Sequence, residues 1–404
     1  MGVVCSPPAA LSFTFKKYHI SMISNLPLVG IDIRLIGQGR TGDEVVFFNL
    51  TRALLQEGRG QFSFRLFTHE SNPKKLEELR IKLECVDRED VAVVSLPQGK
   101  NRFVWNMLVL PWELSRHPVD IYHTQYITPL VLPRKTKLVT HIHDVSFAAH
   151  PKWIALRDRF FLGLLIPRSL RRSNAIIVPS QFTQLEIERY YPYASSKIAV
   201  VPNAVAKEWL APVVERDIDV VRQKFQLPKR YIIASGTMQP RKNIPLFIQA
   251  WAERPEELRE VGLVLTGNRF GYHVDRRLSD EAISKQIIFP GYVDVPTLRA
   301  LVAGAHVFAF PSLYEGFGIP LLEAFASGTP VLASRIPPFE EVGGDAFLAF
   351  DPLSLAEMKK TLYSLLVEKD VALRLIQAGR ERLQLFSWEK NAQNLLTIYR
   401  TLLP

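Results

Sequence analysis

Twelve short runs rich in Val, Ile and Phe, each followed by a turn and a helical pattern, constrain this chain more than any other feature. Six lie at residues 29–34, 62–68, 91–97, 137–144, 175–180 and 198–202. Six more lie at 231–236, 262–267, 287–292, 307–312, 330–334 and 346–350. Runs that are apolar almost throughout belong to strands buried on both faces, and strands alternating with helices belong to parallel sheets. Two sets of six therefore predict two doubly wound α/β domains. The length agrees, because 404 residues exceed what one ordinary core holds. The seam is expected at residues 206–226, a charged and irregular stretch containing Pro212. This divides the chain into a poorly ordered extension at 1–28, domains at 29–212 and 213–385, and a last helix at 386–404. Ser387 caps that helix, and Trp388, Leu395, Tyr399 and Leu402 form its apolar face.

Charge separates the two halves. Residues 1–212 hold 27 Lys and Arg against 18 acids, whereas the remainder holds 23 against 22. A basic first half suits an anionic partner such as a lipid phosphate or a membrane surface, and a generic basic surface that aids solubility has the same signature. No aromatic-rich nucleic-acid motif accompanies it, so nucleic acid is not expected as a partner. Cys5 and Cys85 are too few for a disulfide framework and lack metal-ligand spacing, which points to a reducing cytoplasm. No apolar run approaches the roughly 20 residues of a membrane span. The stretch 160–167, flanked by Arg157, Arg159, Arg168, Arg171 and Arg172, reads first as a core helix with a solvated basic edge, and second as an amphipathic helix on a membrane interface. The first 28 residues lack a small-residue cleavage site and do not read as a signal peptide; Met22 is a plausible start.

Doubly wound sheets bind ligands beyond the carboxyl ends of their strands, so those ends hold the candidate residues. After the first strand comes Gly37-Gln-Gly39-Arg-Thr41-Gly42-Asp-Glu44. Thr41 and Glu44 match a capping box, and the free amides of the following helix offer an anion seat. Glycines at a βα turn are also common for steric reasons. The strand at 137–144 delivers His141 and His143 on one face, with Asp144 at its end. A histidine there can donate to a sugar hydroxyl or phosphate. His141 reads rather as a buried histidine with its hydrogen bonds met, whereas His143 stays open to either role. Arg241 and Lys242 follow the strand at 231–236; a guanidinium fork beside an ammonium suits a diphosphate, and a solvated surface pair is the competing reading.

The strongest signal is Phe310-Pro-Ser-Leu-Tyr-Glu315-Gly-Phe317-Gly318-Ile319-Pro-Leu-Leu-Glu323. A strand ends, a glycine-rich loop follows, and Pro320 suits the first turn of a helix. The loop amides can face an anion while Glu315 sits in the cleft. Glu323, one turn into the helix, can accept from two neighbouring ribose hydroxyls, one on each carboxylate oxygen. A helix-dipole role for Glu323 and an exposed loop position for Glu315 compete, but two acids bracketing such a loop favour function. Asp217-Ile218-Asp219 resembles a metal-chelating DxD pattern; it lies in the presumed linker and reads as solvated charge.

These residues resemble glycosyltransferase family 4, whose fold is GT-B: two facing Rossmann-like domains with a C-terminal crossover helix. The resemblance runs from about residue 29 to the C-terminus and rests on the acid-x7-acid motif Glu315 to Glu323. Pro-Arg-Lys-Asn at 240–243, Ala-Ser-Gly-Thr-Pro-Val at 326–331 and His143-Asp144 support it. It implies a retaining glycosyltransferase that needs no metal cofactor, with attack on the face of the departing group and the leaving phosphate as base. The donor would be a nucleotide-diphosphate sugar such as GDP-mannose or UDP-glucose, and the acceptor a glycan or lipid-linked glycan on the basic first domain. By the same resemblance Arg241 and Lys242 neutralise the diphosphate, and Glu315 binds donor-sugar hydroxyls with help from the amides of Phe317, Gly318 and Ile319. Glu323 would hold the ribose, Gly42 would abut the phosphates and His143 would touch the sugar near the reaction centre. Apart from the resemblance, the cysteine count places the chain in the cytoplasm, and the basic first domain suits peripheral contact with the inner face of the membrane. One departure stands out: many relatives carry an arginine where this chain has Thr237, so Arg241 takes over that charge. A sugar-nucleotide-binding protein without transfer activity and a GT-B epimerase are the competing classes. A dinucleotide dehydrogenase lacks its GxGxxG signature here.

Overall fold

The computed structural model describes residues 26–37, 42–97, 101–236, 239–267 and 286–404. Most of the N-terminal extension, Thr41 of the expected capping box, and Thr237 lie outside the described residues.

The first sheet has seven parallel strands: β1 (Leu28–Asp32), β2 (Ser63–Thr68), β3 (Val91–Ser95), β4 (Ile121–Gln125), β5 (Lys137–His141), β6 (Ala175–Val178) and β7 (Ile198–Val200). Their order is β3-β2-β1-β4-β5-β6-β7. The second has six parallel strands: β8 (Tyr231–Ser235), β9 (Gly262–Thr266), β10 (Ile287–Gly291), β11 (Val307–Phe310), β12 (Val331–Ser334) and β13 (Phe347–Phe350). Their order is β10-β9-β8-β11-β12-β13. Each sheet reverses its winding once, between β1 and β4 and between β8 and β11. The crevices where such sheets bind ligands lie there.

All twelve expected strands are present, but β4 is an addition. Ile-Tyr-His-Thr-Gln is too polar to read as an interior strand, yet all five residues are buried at the centre of the sheet. Partners distant in sequence make this tolerable. The His123 imidazole meets the Tyr399 hydroxyl at 2.6 Å, Thr124 Oγ1 donates to Asp32 at 3.3 Å, and Gln125 meets His143 at 2.7 Å. A buried polar group is tolerable when so paired.

The expected irregular seam is helical. Residues Lys207–Leu210 and Glu215–Phe225 form helices, and Val205, Trp209 and Val221 join the core of the second domain. The charges that suggested a linker occupy the outer face of an amphipathic helix, so Asp217 and Asp219 stand on a helix surface.

The terminal helix, Trp388–Leu402, returns to the first domain and packs along the helix Asp43–Glu57. Trp388, Ala392, Leu395, Leu396 and Tyr399 complete the apolar cluster that contains Val29, Ile31 and Phe47. Spaced at three- and four-residue steps, they form one stripe, and each large apolar side chain contributes about 1.5–3 kcal/mol when fully buried.

One helix corrects the sequence reading. Leu156–Arg172 buries Ile166, Ser169 and Leu170, but Leu156, Phe160 and Leu164 face solvent. It packs Ile166 and Leu170 into a core cluster as expected of a core helix, but its outer side carries large apolar residues as well as the expected basic edge. The mixed composition around 160–167 marks an amphipathic helix but does not say which face the domain covers.

Candidate active site

Four chain segments meet where the two switch points face each other. From the second domain, the turn after β8 carries Arg241 and Lys242, and the loop after β11 carries Ser312 and Glu315. The backbone ties these loops together, Leu313 N–H donating to the Arg241 carbonyl at 2.7 Å. From the first domain come His143 beyond β5 and Gly42 at the start of the helix Asp43–Glu57.

Glu315 is the hub. Lys242 Nζ donates to Oε1 at 2.6 Å, Ser312 Oγ donates to the same oxygen at 2.8 Å, and Arg241 Nη1 donates to Oε2 at 2.5 Å. Burial pushes the Glu315 carboxyl up, but the Lys242 and Arg241 charges more than reverse it and hold it at about 2. Burial lowers the Lys242 ammonium, with the Glu315 carboxylate pulling it partway back and the Arg241 charge opposing. Burial acts against Arg241 too, but the Glu315 and Asp144 carboxylates outweigh it, so the guanidinium is more basic than usual. The triad is therefore ionised: two cations around one anion, with net positive charge. The surface-pair reading of Arg241 and Lys242 is excluded, since the side chains of all three residues are largely buried.

Glu323 behaves differently from Glu315. It lies on the helix Ile319–Ala326, and its carboxylate makes no hydrogen bond to the described residues. Burial raises it to about 7, with the Lys242 charge pulling only partly the other way. The amides of Phe317, Gly318 and Ile319 likewise donate to no acceptor among the described residues. Gly318, at φ +108°, caps this helix in the left-handed region that glycine enters readily. The Phe317 side chain is buried against Phe386, which leaves its backbone amide as the group available to a ligand. A carboxylate without partners and a run of free amides flank a pair of cations, which is a binding arrangement for a polyhydroxylated anion.

The histidines form a column. His123, His141 and His143 stack with ring centroids 6.0 and 4.5 Å apart. Burial pushes His123 down to about 3 and His141 well below its usual value, so both are neutral. His141 is buried as expected, but among the described residues neither ring nitrogen has a hydrogen-bond partner, contrary to the expectation that its bonds are met. His143 Nε2 pairs with Gln125 Oε1 at 2.7 Å, which leaves Nδ1 without a partner. Gly42 caps the helix Asp43–Glu57 at φ +65°, and a Cβ added there would meet none of the described residues within 4 Å. Among the described residues no side chain caps that helix, and Glu44 accepts from the Gly37 N–H at 2.7 Å.

Several site residues escape sequence reasoning. Ser180 Oγ and Thr183 Oγ1, from the first domain, both donate to the Gly316 carbonyl, at 2.6 and 3.0 Å. Gly316 is glycine because a Cβ there would lie 2.0 Å from the His143 carbonyl oxygen. Glu341, from the second domain, accepts from the amides of Gln181 and Phe182 at the start of the helix Gln181–Tyr190. The only local hint was Ser180-x-x-Thr183, which reads as an ordinary helix cap. Ser312 and Gln125 were equally unmarked, being common polar residues near strand ends.

Comparison with known proteins agrees with this geometry. A family model described as "Glycosyltransferase Family 4" matches residues 40–209, and one described as "Glycosyl transferases group 1" matches residues 215–382. The chain is 31% identical over 298 residues to the O-antigen chain mannosyltransferase B of Escherichia coli, covering 72% of this chain and 77% of that protein. It is 29% identical to the serotype-specific mannosyltransferase WbdA of the same organism, of which it spans 33%. Among solved structures, sucrose-phosphate synthase from Thermosynechococcus elongatus superposes with a TM-score of 0.69 at 19% identity, covering 93% of this chain and 99% of that one. Anabaena HepE, solved in complex with UDP-glucose, superposes with a TM-score of 0.68 at 17% identity, covering 93% of this chain and all of its own. With both halves matched and the mannosyltransferase relative aligned across most of the two domains, the chain belongs to glycosyltransferase family 4 and is a glycosyltransferase of the GT-B fold.

Proposed function

We propose that this glycosyltransferase moves a hexose, with mannose first in order, from a nucleotide-diphosphate sugar to a glycan or lipid-linked acceptor, with retention at the anomeric carbon. The arrangement that carries the reading is the ionised Arg241–Lys242–Glu315 triad beside the unpartnered Glu323 and the free amides of Phe317, Gly318 and Ile319. The diphosphate takes the two cations, Glu323 accepts from the ribose hydroxyls, and the amides and the open Glu315 lone pair take sugar hydroxyls. His143, oriented by Gln125, approaches the sugar from the first domain. Gly42 borders the phosphates, where glycine permits close approach of the backbone.

In the transfer the bond from the anomeric carbon to the diphosphate oxygen breaks as the acceptor oxygen bonds to that carbon on the same face. The acceptor proton passes to the departing phosphate. Charge grows on that phosphate, and Arg241 and Lys242 stand ready to stabilise it, so no metal cofactor is required in this reading. Mannose ranks first because relatives named as mannosyltransferases recur, and glucose second because HepE was solved with UDP-glucose. The same relatives suggest work in O-antigen or related glycan assembly, and two cysteines without a disulfide framework suit the cytoplasm. A panel of GDP-, UDP- and ADP-sugars tests it, with thermal stabilisation read first and transfer to a mannosylated acceptor second. A ligand at about 100 times its Kd adds roughly 2.7 kcal/mol. Stabilisation by GDP-mannose with transfer is expected; stabilisation without transfer to any acceptor would support a binding protein instead.

A further inference from the structure

The exposed side of the helix Leu156–Arg172 carries large apolar side chains. Leu156, Phe160 and Leu164 stand at four-residue steps and are 81, 69 and 61% exposed. The next two residues of that row, Arg168 and Arg172, donate to the Leu130 carbonyl. That contact brings exposed Leu130 and Val131 alongside the helix. The Leu130 N–H donates in turn to the Asn106 carbonyl at 2.8 Å, which adds exposed Phe103 and Leu108. Soluble surfaces scatter such side chains singly; seven gathered through three fastened segments mark an interaction site.

The rim identifies the partner. Residues 130–172 contain nine Lys and Arg but only two acids, Asp144 and Asp158. Arg134, Lys135, Lys152, Arg157, Arg159 and Arg171 are all exposed. Large apolar side chains ringed by cations fit an anionic lipid surface, where the apolar groups enter the headgroup boundary and the cations meet lipid phosphates. No helix among the described residues is long and apolar enough to cross a membrane, so the contact is one of lying on the surface. The orientation is apt. This helix links β5 to the parallel strand β6, so it runs opposite to them and its Leu156 end starts at the strand ends that line the cleft.

We infer that the surface made by Leu156, Phe160, Leu164, Leu130, Val131 and Leu108 docks this protein on an anionic membrane, cleft side toward the lipid. The test is co-sedimentation of the full chain with vesicles of phosphatidylcholine alone or of equal parts phosphatidylcholine and phosphatidylglycerol, without donor. Binding to the anionic vesicles is expected, weakening as salt rises. Phe160→Ser/Leu164→Ser and Arg157→Glu/Arg159→Glu should each reduce the partition coefficient about tenfold or more. All four residues are exposed, so near-ultraviolet circular dichroism should match that of the unaltered chain. Failure of the unaltered chain to bind, equal binding to both vesicle types, or undiminished binding by both variants overturns the inference. So does a dimer in light scattering that Phe160→Ser/Leu164→Ser dissociates while vesicles go unbound, which makes the face a contact between two copies. Because no donor is present, the outcome is separate from that of the donor-site reading.

Discussion

Lys242 Nζ lies 2.6 Å from Glu315 Oε1, and this contact pins a cation from the β8 turn to an acid from the β11 loop. Without donor, Glu315 is the counter-ion that holds Lys242 and Arg241 in place. A diphosphate would complete the charge balance that a single carboxylate leaves open.

Lys242→Ala should lower kcat about 10²- to 10³-fold, the usual effect of removing one preorganised donor to a developing anion. Acceptor KM should change far less, because the charge appears in the transition state. Initial-rate kinetics over both substrates decide this, and an unchanged kcat removes Lys242 from the leaving-group site.

With Glu323 raised to about 7 and holding the ribose as proposed, donor binding should be proton-linked. Ribose hydroxyls donate to the ionised form, so affinity should rise with pH through 7, and binding below that pH should release a proton. Titration calorimetry in buffers of different ionisation enthalpy measures the release, which Glu323→Gln should abolish while weakening affinity. For stability the sign is opposite to that of an ordinary ion-paired acid. Raised from 4.5 to about 7, the carboxyl favours the folded state most below 4.5, and the contribution is lost as pH rises through about 7. Chemical denaturation at pH 5 and 8 should show a smaller difference in Glu323→Gln than in the unaltered chain.

Gly316→Ala should separate the domains, since its Cβ would lie 2.0 Å from the His143 carbonyl oxygen. A misplacement of about 1 Å can cost about 10²-fold in rate, and kcat should fall on that scale. Donor affinity should fall less, because the triad and Glu323 belong to one domain. Small-angle scattering should report a larger radius of gyration. Ser180→Ala with Thr183→Val, which remove two donors to the Gly316 carbonyl, should act in the same direction and more weakly.

Tyr399→Phe removes the hydroxyl that meets the buried His123 imidazole at 2.6 Å. Leaving a buried polar group unpaired costs about 1–3 kcal/mol. A lowered denaturation midpoint is expected, and an unchanged one would show that the terminal helix is held by its apolar stripe alone.

Treatment with EDTA should leave transfer unchanged if, as proposed, Arg241 and Lys242 supply the positive charge at the leaving group. Loss of turnover that magnesium restores would reassign part of that task to a metal.

Much of this was legible in the sequence. Twelve strands were readable because an interior parallel strand must be apolar along its length, which is a local property. Glu315, Glu323, Arg241 and Lys242 were readable because strand-end loops carry a doubly wound site, and those loops follow their strands directly. The tertiary structure decided the rest. Strand β4 is polar and stands at the sheet centre, where Tyr399, 276 residues on, and His143, beyond the next strand, pair with His123 and Gln125. Gly316 owes its identity to the His143 carbonyl of the other domain. The two glutamates, alike in sequence, part because cations reach one and burial governs the other. The helix at 156–172 announces two faces, but which one the domain covers depends on residues far along the chain. Local pattern sets what a segment can become; the neighbours that determine its charge, its exposure and its role arrive from elsewhere in the chain, and only folding brings them together.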